Sequence, residues 1–190
     1  MSLNLTKGSS LNLTKAAPNL SNILIGCGWE KKVDPIDVDV SIFALSNGTV
    51  QPSHVIFFNQ LETDDGSIKH MGDNRTGAGD GDDEVIKVDL NKLEAAHPEI
   101  NELAIWVTID KAKEQRLNFG SMKEAYCRIV NAADNKELCN YDLDASFNTS
   151  ISVQMGSLIK IAPKTWEFKA VSVGYPDKCF IDVCGAYGVT

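Results

Sequence analysis

The sequence predicts an all-β protein, a β-sandwich of two mostly antiparallel sheets with short peripheral helices, in a single domain over residues 1–190. Two observations predict it. Short runs of alternating apolar and polar residues recur along the chain, separated by turn signals such as Asn47-Gly48 and Asp64-Asp65-Gly66. Almost no segment carries a sustained helical period. At 190 residues, 43% hydrophobic and 23% charged, the chain can bury a core of its own.

Residues 2–7 (SLNLTK) recur as residues 10–15. In both copies leucines alternate with polar neighbours, and residues 8–10 read as a turn, so the opening predicts a hairpin. Two copies are too few for a solenoid. Residues 23–29 form an apolar run with Gly26 and Gly28, a strand that bends or lies close to another backbone. From Asp37 the alternation is strict: Val38, Val40, Ile42 and Ala44 face one side, Asp37, Asp39 and Ser41 the other. The two carboxylates stand about 7 Å apart on such a strand. That suits ligands for one ion or two neighbouring ions, or else an ordinary solvated outer face.

Asn47-Gly48 predicts a hairpin turn. Residues 54–58 read as a buried strand delivering Asn59, whose amide oxygen can ligate calcium. Ile68 and His70 lead into the acidic stretch described below, and Ile86, Val88 and Leu90 alternate after it, so that stretch is slung between two strands. Residues 91–97 predict a short helical turn that Pro98 stops. Residues 103–109 are almost continuously apolar and predict a central strand buried on both faces. Further strands are predicted over residues 125–131, 138–142, 151–161 and 166–173, with turns at 118–120 and 133–136. Phe180, Val183, Cys184 and Tyr187 fall at helical spacing and predict a short terminal helix plugging the core.

The formal charge of -8 argues against nucleic acid and against an anionic membrane surface, since both need clustered Lys and Arg. No run approaches the roughly 20 apolar residues of a membrane span. The first fifteen residues lack the basic start and apolar run of a secretory signal. Cys27, Cys127, Cys139, Cys179 and Cys184 form no C-x-x-C pair and read as small buried side chains in a reducing cytoplasm.

The stretch that organises the chain is residues 72–84, GDNRTGAGDGDDE. Asp73, Asp80, Asp82, Asp83 and Glu84 crowd together with Arg75 as the compensating cation. The interleaved glycines, Gly77 among them, let the backbone turn and bring carbonyls inward, and the carboxylates are hard donors, so the stretch is read as a calcium loop. The plainer alternative is a solvated Asp/Gly turn. Residues 73–84 have the 12-residue length and the end residues of an EF-hand loop, but Arg75 stands where an oxygen ligand belongs and Ala78 where the glycine is required. The G-G-x-G-x-D nonapeptide is echoed once and does not repeat. A phosphate-cradling loop is excluded by the missing lysine.

Taken together, GDNRTGAGDGDDE, the Asp37-x-Asp39 strand, the SLNLTKAAP segment, Asn118-Phe119-Gly120 and WEFKAVSVGY (residues 166–175) resemble the TerD family of bacterial tellurium-resistance and stress proteins. The resemblance implies a cytoplasmic calcium-binding β-sandwich, acting in a general stress response with protein partners that include membrane-bound relatives of the same operon. It carries the family's calcium residues to Asp73, Asn74, Asp80, Asp82, Asp83 and Glu84, with Asp37, Asp39 and Asn59 as contributors.

The function expected is therefore a non-catalytic, calcium-dependent binding or scaffold module holding one ion, or two that share carboxylates. The main alternative is a magnesium- or calcium-dependent phosphoryl-transfer enzyme or hydrolase on the same carboxylates. His54 and His70 are its candidate bases, although a lone His on a strand is more often structural. Cys27 lacks a basic neighbour to activate it. A calcium-dependent sugar- or lipid-binding module is the third reading.

Overall fold

The computed structural model describes residues 3–4, 6–32, 36–72, 81–143 and 145–189. Among these residues, twelve strands form two six-stranded sheets. The first sheet is built from β1 (Leu3–Asn4), β3 (Asn22–Lys31), β6 (Ile68–His70), β7 (Glu84–Asp89), β9 (Met122–Asn131) and β10 (Lys136–Asp142), in the order β1-β10-β9-β3-β7-β6. The second takes β2 (Ser10–Asn12), β4 (Val38–Ser46), β5 (Thr49–Ile56), β8 (Glu102–Ile109), β11 (Ser152–Ala162) and β12 (Thr165–Tyr175), in the order β2-β12-β11-β8-β4-β5. Every pairing is antiparallel except that of β1 with β10. The predicted fold class is the one observed.

Alternation explains the layers. Ile23, Ile25 and Cys27 of β3 and Ile86 and Val88 of β7 join Val38, Val40 and Ile42 of β4 and Ile105 and Val107 of β8 in one apolar core between the sheets. The helices α1 (Leu13–Ala16), α2 (Leu90–Ala96), α3 (Ala112–Gln115) and α4 (Phe180–Ala186) are short. Asn47-Gly48 closes the predicted hairpin, with Ser46 opposite Thr49.

Three expectations are corrected. The repeated N-terminal segments do not pair with each other: β1 joins β10 in the first sheet and β2 joins β12 in the second. The second copy also ends as helix, because the Asn12 side chain accepts the Lys15 N–H and caps α1 while Leu13 is fully buried. The terminal helix is present, but it does not plug the main core. Its Val183 and Cys184 cover Phe43, Leu45, Val55, Ala104 and Trp106 on the outer face of the second sheet. That cover removes the third expectation, a solvated outer face on β4. Asp39 is 6% exposed and Ser41 fully buried.

Candidate metal centre

The acidic stretch is closed at its base. His70 pairs with Ile86 across β6 and β7, and the Met71 N–H donates to the Val85 carbonyl at 2.9 Å. Gly72 (φ 126°) and Gly81 (φ 104°) adopt backbone angles that other residues resist, and so turn the chain at both shoulders. Asp73, Asn74, Gly77 and Asp80, all predicted ligands, lie outside the described residues.

The three acids that end the stretch take three different positions. Glu84 opens β7 opposite Cys27, an inward-facing position, and its side chain is fully buried. Its Oε2 accepts the Val40 N–H at 2.8 Å and faces His70 Nε2 at 3.4 Å. Val40 offers its N–H because β5 pairs with β4 only from Ile42 onward, so a first-sheet side chain completes the open edge of a second-sheet strand. His70 Nδ1 accepts the Gly72 N–H at 3.2 Å, while its Nε2 is buried without a hydrogen-bond partner among the described residues. The other oxygen, Glu84 Oε1, is buried without a hydrogen-bond partner among the described residues.

Asp83 continues along the edge of β3 just past its ladder with β7. Its N–H donates to the Cys27 carbonyl at 2.8 Å and its Oδ2 accepts the Trp29 N–H at 2.9 Å. Burial, and then the neighbouring charge of Asp82, hold its carboxyl above the usual range, against the opposing Trp29 N–H.

Asp82 lies on the outer face of the first sheet. Arg128 holds it through Nε to Oδ1 at 2.8 Å and Nη2 to Oδ2 at 3.1 Å, and the Tyr126 hydroxyl donates to Oδ1 at 3.0 Å. The carboxylate rests directly over Gly26, where a Cβ would collide with Asp82 Oδ2; Gly28 makes the same room for the Tyr126 ring. The expected close approach to β3 is thus made by side chains and not by another backbone.

Of the two strand aspartates, Asp39 diverges from Glu84. Asp37 is half-buried just ahead of β4, and its carbonyl accepts the Asp110 N–H at 3.0 Å. Asp39 stands opposite Thr108 and lines a cavity of about 270 Å³ with Phe58, Lys113, Cys179 and Phe180. This is the outer side of the second sheet, whereas Val38 and Val40 face the core. Asn59 is exposed at the tip of the turn closed by Phe57 and Gln60. Among the described residues no three His, Cys, Asp or Glu side chains gather to hold a metal.

Sequence reasoning missed the partners that give the acids their places: Arg128 and Tyr126 for Asp82, His70 and the Val40 N–H for Glu84. Gly26 and Gly28 on alternate positions were the available signal for the first pair. Of the other reactive groups, Cys27, Cys127 and Cys139 are free and buried, and burial pushes the Cys139 thiol up to about 12. His54 packs edge-on to His97 at 4.6 Å. No helix among the described residues is long and apolar enough to cross a membrane.

The chain is 40% identical to the tellurium resistance protein TerD of Serratia marcescens, across 100% of this chain and 98% of that protein. It is 39% identical to general stress protein 16U of Bacillus subtilis, across 92% of each. The crystal structure of a homologue of telluride resistance protein TerD from Streptomyces coelicolor superimposes with a TM-score of 0.70 at 19% identity, covering 86% of this chain and 94% of that one, and shows the same fold. The TerD domain model matches residues 1–187, and the chain belongs to the TerD family.

Proposed function

We propose that this protein is a calcium-binding, non-catalytic stress-response protein of the tellurite-resistance type, serving in the cytoplasm as a metal-dependent binding or scaffold module. The observation that carries the reading is Glu84 Oε1, a buried carboxylate oxygen with no donor among the described residues, at the end of the acidic stretch. Such an oxygen is costly unless something positive completes it. Calcium takes six to eight hard oxygens from carboxylates, amide and backbone carbonyls and water. Glu84 would hold it together with Asp73, Asn74, the Gly77 carbonyl and Asp80 from the loop and Asp37 from the second sheet. One ion, or two sharing carboxylates, would neutralise the like charges that otherwise repel in this segment. The names of the relatives, resistance and general stress proteins, support the cellular role.

The module's partners would be proteins, among them membrane-bound products of the same operon, reading a surface that the ion orders. A base closed by β6 and β7 leaves less chain entropy to lose when the loop wraps an ion. Isothermal titration of the metal-stripped protein tests the reading, calcium against magnesium. We expect heat with calcium at one or two equivalents, and a calcium-dependent stabilisation of about 2.7 kcal/mol at a hundred times Kd. Absence of heat and of any thermal shift with both ions overturns it.

A further inference from the structure

We infer that Asp82 is a positioning residue that tethers the exit of the acidic loop to the outer face of the first sheet, with Arg128 as its anchor, and is not itself a metal ligand. The inference rests on the calcium reading above and changes the set of ligands that the family resemblance assigns.

Four observations carry it. Both oxygens of Asp82 are already engaged by the two prongs of one guanidinium, and Oδ1 also accepts from Tyr126. Arg128 is itself aimed, since its Nη1 meets Glu137 Oε2 at 3.2 Å and its guanidinium carbon lies 5.8 Å from the Tyr126 ring centroid. The seat is shaped for this carboxylate, because Gly26 leaves room that any Cβ would fill. Finally, Asp82 lies outside the first sheet while Glu84, two residues on, enters the space between the sheets to meet Val40. An ion held by Glu84 is therefore on the wrong side of the sheet for Asp82, and an ion at Asp82 would sit against a guanidinium that repels it. The tether's task is mechanical. It fixes the chain at residue 82 so that Asp83 caps Trp29 and Glu84 is delivered inward.

The sign of one substitution separates tether from ligand. Removing a cation beside a calcium ligand should leave calcium binding unchanged or strengthen it, whereas removing an anchor should weaken it against the electrostatic trend. We expect Arg128→Gln to weaken calcium binding roughly tenfold, the scale of a lost charge-assisted pair, with unchanged stoichiometry. Asp82→Ala should do the same, and the double variant should be no worse than the weaker single one. Arg128→Lys, which keeps the charge but loses the fork, should recover only part of the affinity. Tighter or unchanged binding in Arg128→Gln, or loss of an equivalent in Asp82→Ala, overturns the inference.

A second readout needs no metal. In the metal-free protein, hydrogen exchange at the Trp29 and Asp83 amides should quicken in Arg128→Gln and in Gly26→Ala, whose added methyl occupies the carboxylate's seat. Unchanged exchange in both variants overturns the tether even if the wild type binds calcium. Faster exchange in a protein that binds no calcium keeps the tether and rejects the metal reading.

Discussion

On the outer face of the second sheet, Phe43 stacks on Tyr187 at 4.7 Å, Trp106 on Tyr175 at 5.5 Å, and α4 lies across them. On the outer face of the first sheet, the corresponding layer over β3 and β9 is Gly26, Gly28, Tyr126, Arg128 and the returning carboxylate of Asp82. Both faces hold a distant part of the chain against a sheet. The second does so by removing apolar and aromatic area from water, a force that is non-directional and largely indifferent to salt and to the loop. The first does so through directional, charge-assisted bonds with almost no apolar burial. An apolar contact can be strong without caring where one residue sits; a charge-assisted one sets the position of Asp82 and, through it, of Glu84. Stability and site geometry are thus assigned to opposite outer faces.

The largest expected effect tests that division directly. Phe43 is fully buried and touches Phe180 and Tyr187, so Phe43→Ala should cost about 3–5 kcal/mol in urea unfolding. At temperatures where the variant remains folded, its calcium affinity should match that of the wild type. A parallel loss of affinity would show that the two faces are coupled and would break the comparison.

These two faces also differ in how far the sequence reveals them. Period-two alternation located the strands, because each inward position must be apolar to build a core between sheets. It placed the acidic stretch between two strands for the same reason. Alternation cannot say whether an outer face meets water. The polar positions Asp39 and Ser41 read as solvated because the residues that cover β4's outer face, Phe180 and Val183, come some 140 positions later in the chain. Nor can it assign a strand to a sheet. Two identical SLNLTK segments end in different sheets, since the partner strands β10 and β12 decide, and not the segment itself. At the site, the carboxylates were legible as a group, but their separate positions depend on Arg128 and Val40, ordinary strand residues that carry no local signal.

A smaller effect is expected at Glu84, where the two layers meet. Glu84→Gln keeps the shape and lets the amide oxygen accept from Val40, while removing a buried carboxylate whose Oε1 has no partner among the described residues. Metal-free thermal stability should therefore be unchanged or raised. The calcium-dependent increment, about 2.7 kcal/mol at a hundred times Kd, should disappear. Differential scanning with and without calcium reads both at once, and a large metal-free loss would mean that Glu84 is primarily structural.

The smallest effect sharpens the other side of the comparison, by asking how much of the second face is polar after all. Asp182 caps α4: its Oδ2 accepts from the Cys179 N–H and from Lys113 Nζ, each at 2.9 Å. The Cys179 thiol, then Lys113 and the Cys179 N–H hold this carboxyl below its usual range. A depressed carboxyl contributes stability that is present above its ordinary value of 3.8 and is lost as the pH falls below it toward the folded value. Asp182 is exposed, so solvent and salt screen much of that contribution. Asp182→Asn should lower Tm by roughly 2–4 °C at pH 7, the scale of a weakened helix cap. That difference should shrink as both proteins are acidified below pH 3.8, where the carboxyl of the unfolded wild-type chain takes up its proton while the folded one is still ionised. A drop as large as that of Phe43→Ala would mean that α4 is held by its cap and not by the aromatic layer, and that the second face is no more apolar in its energetics than the first.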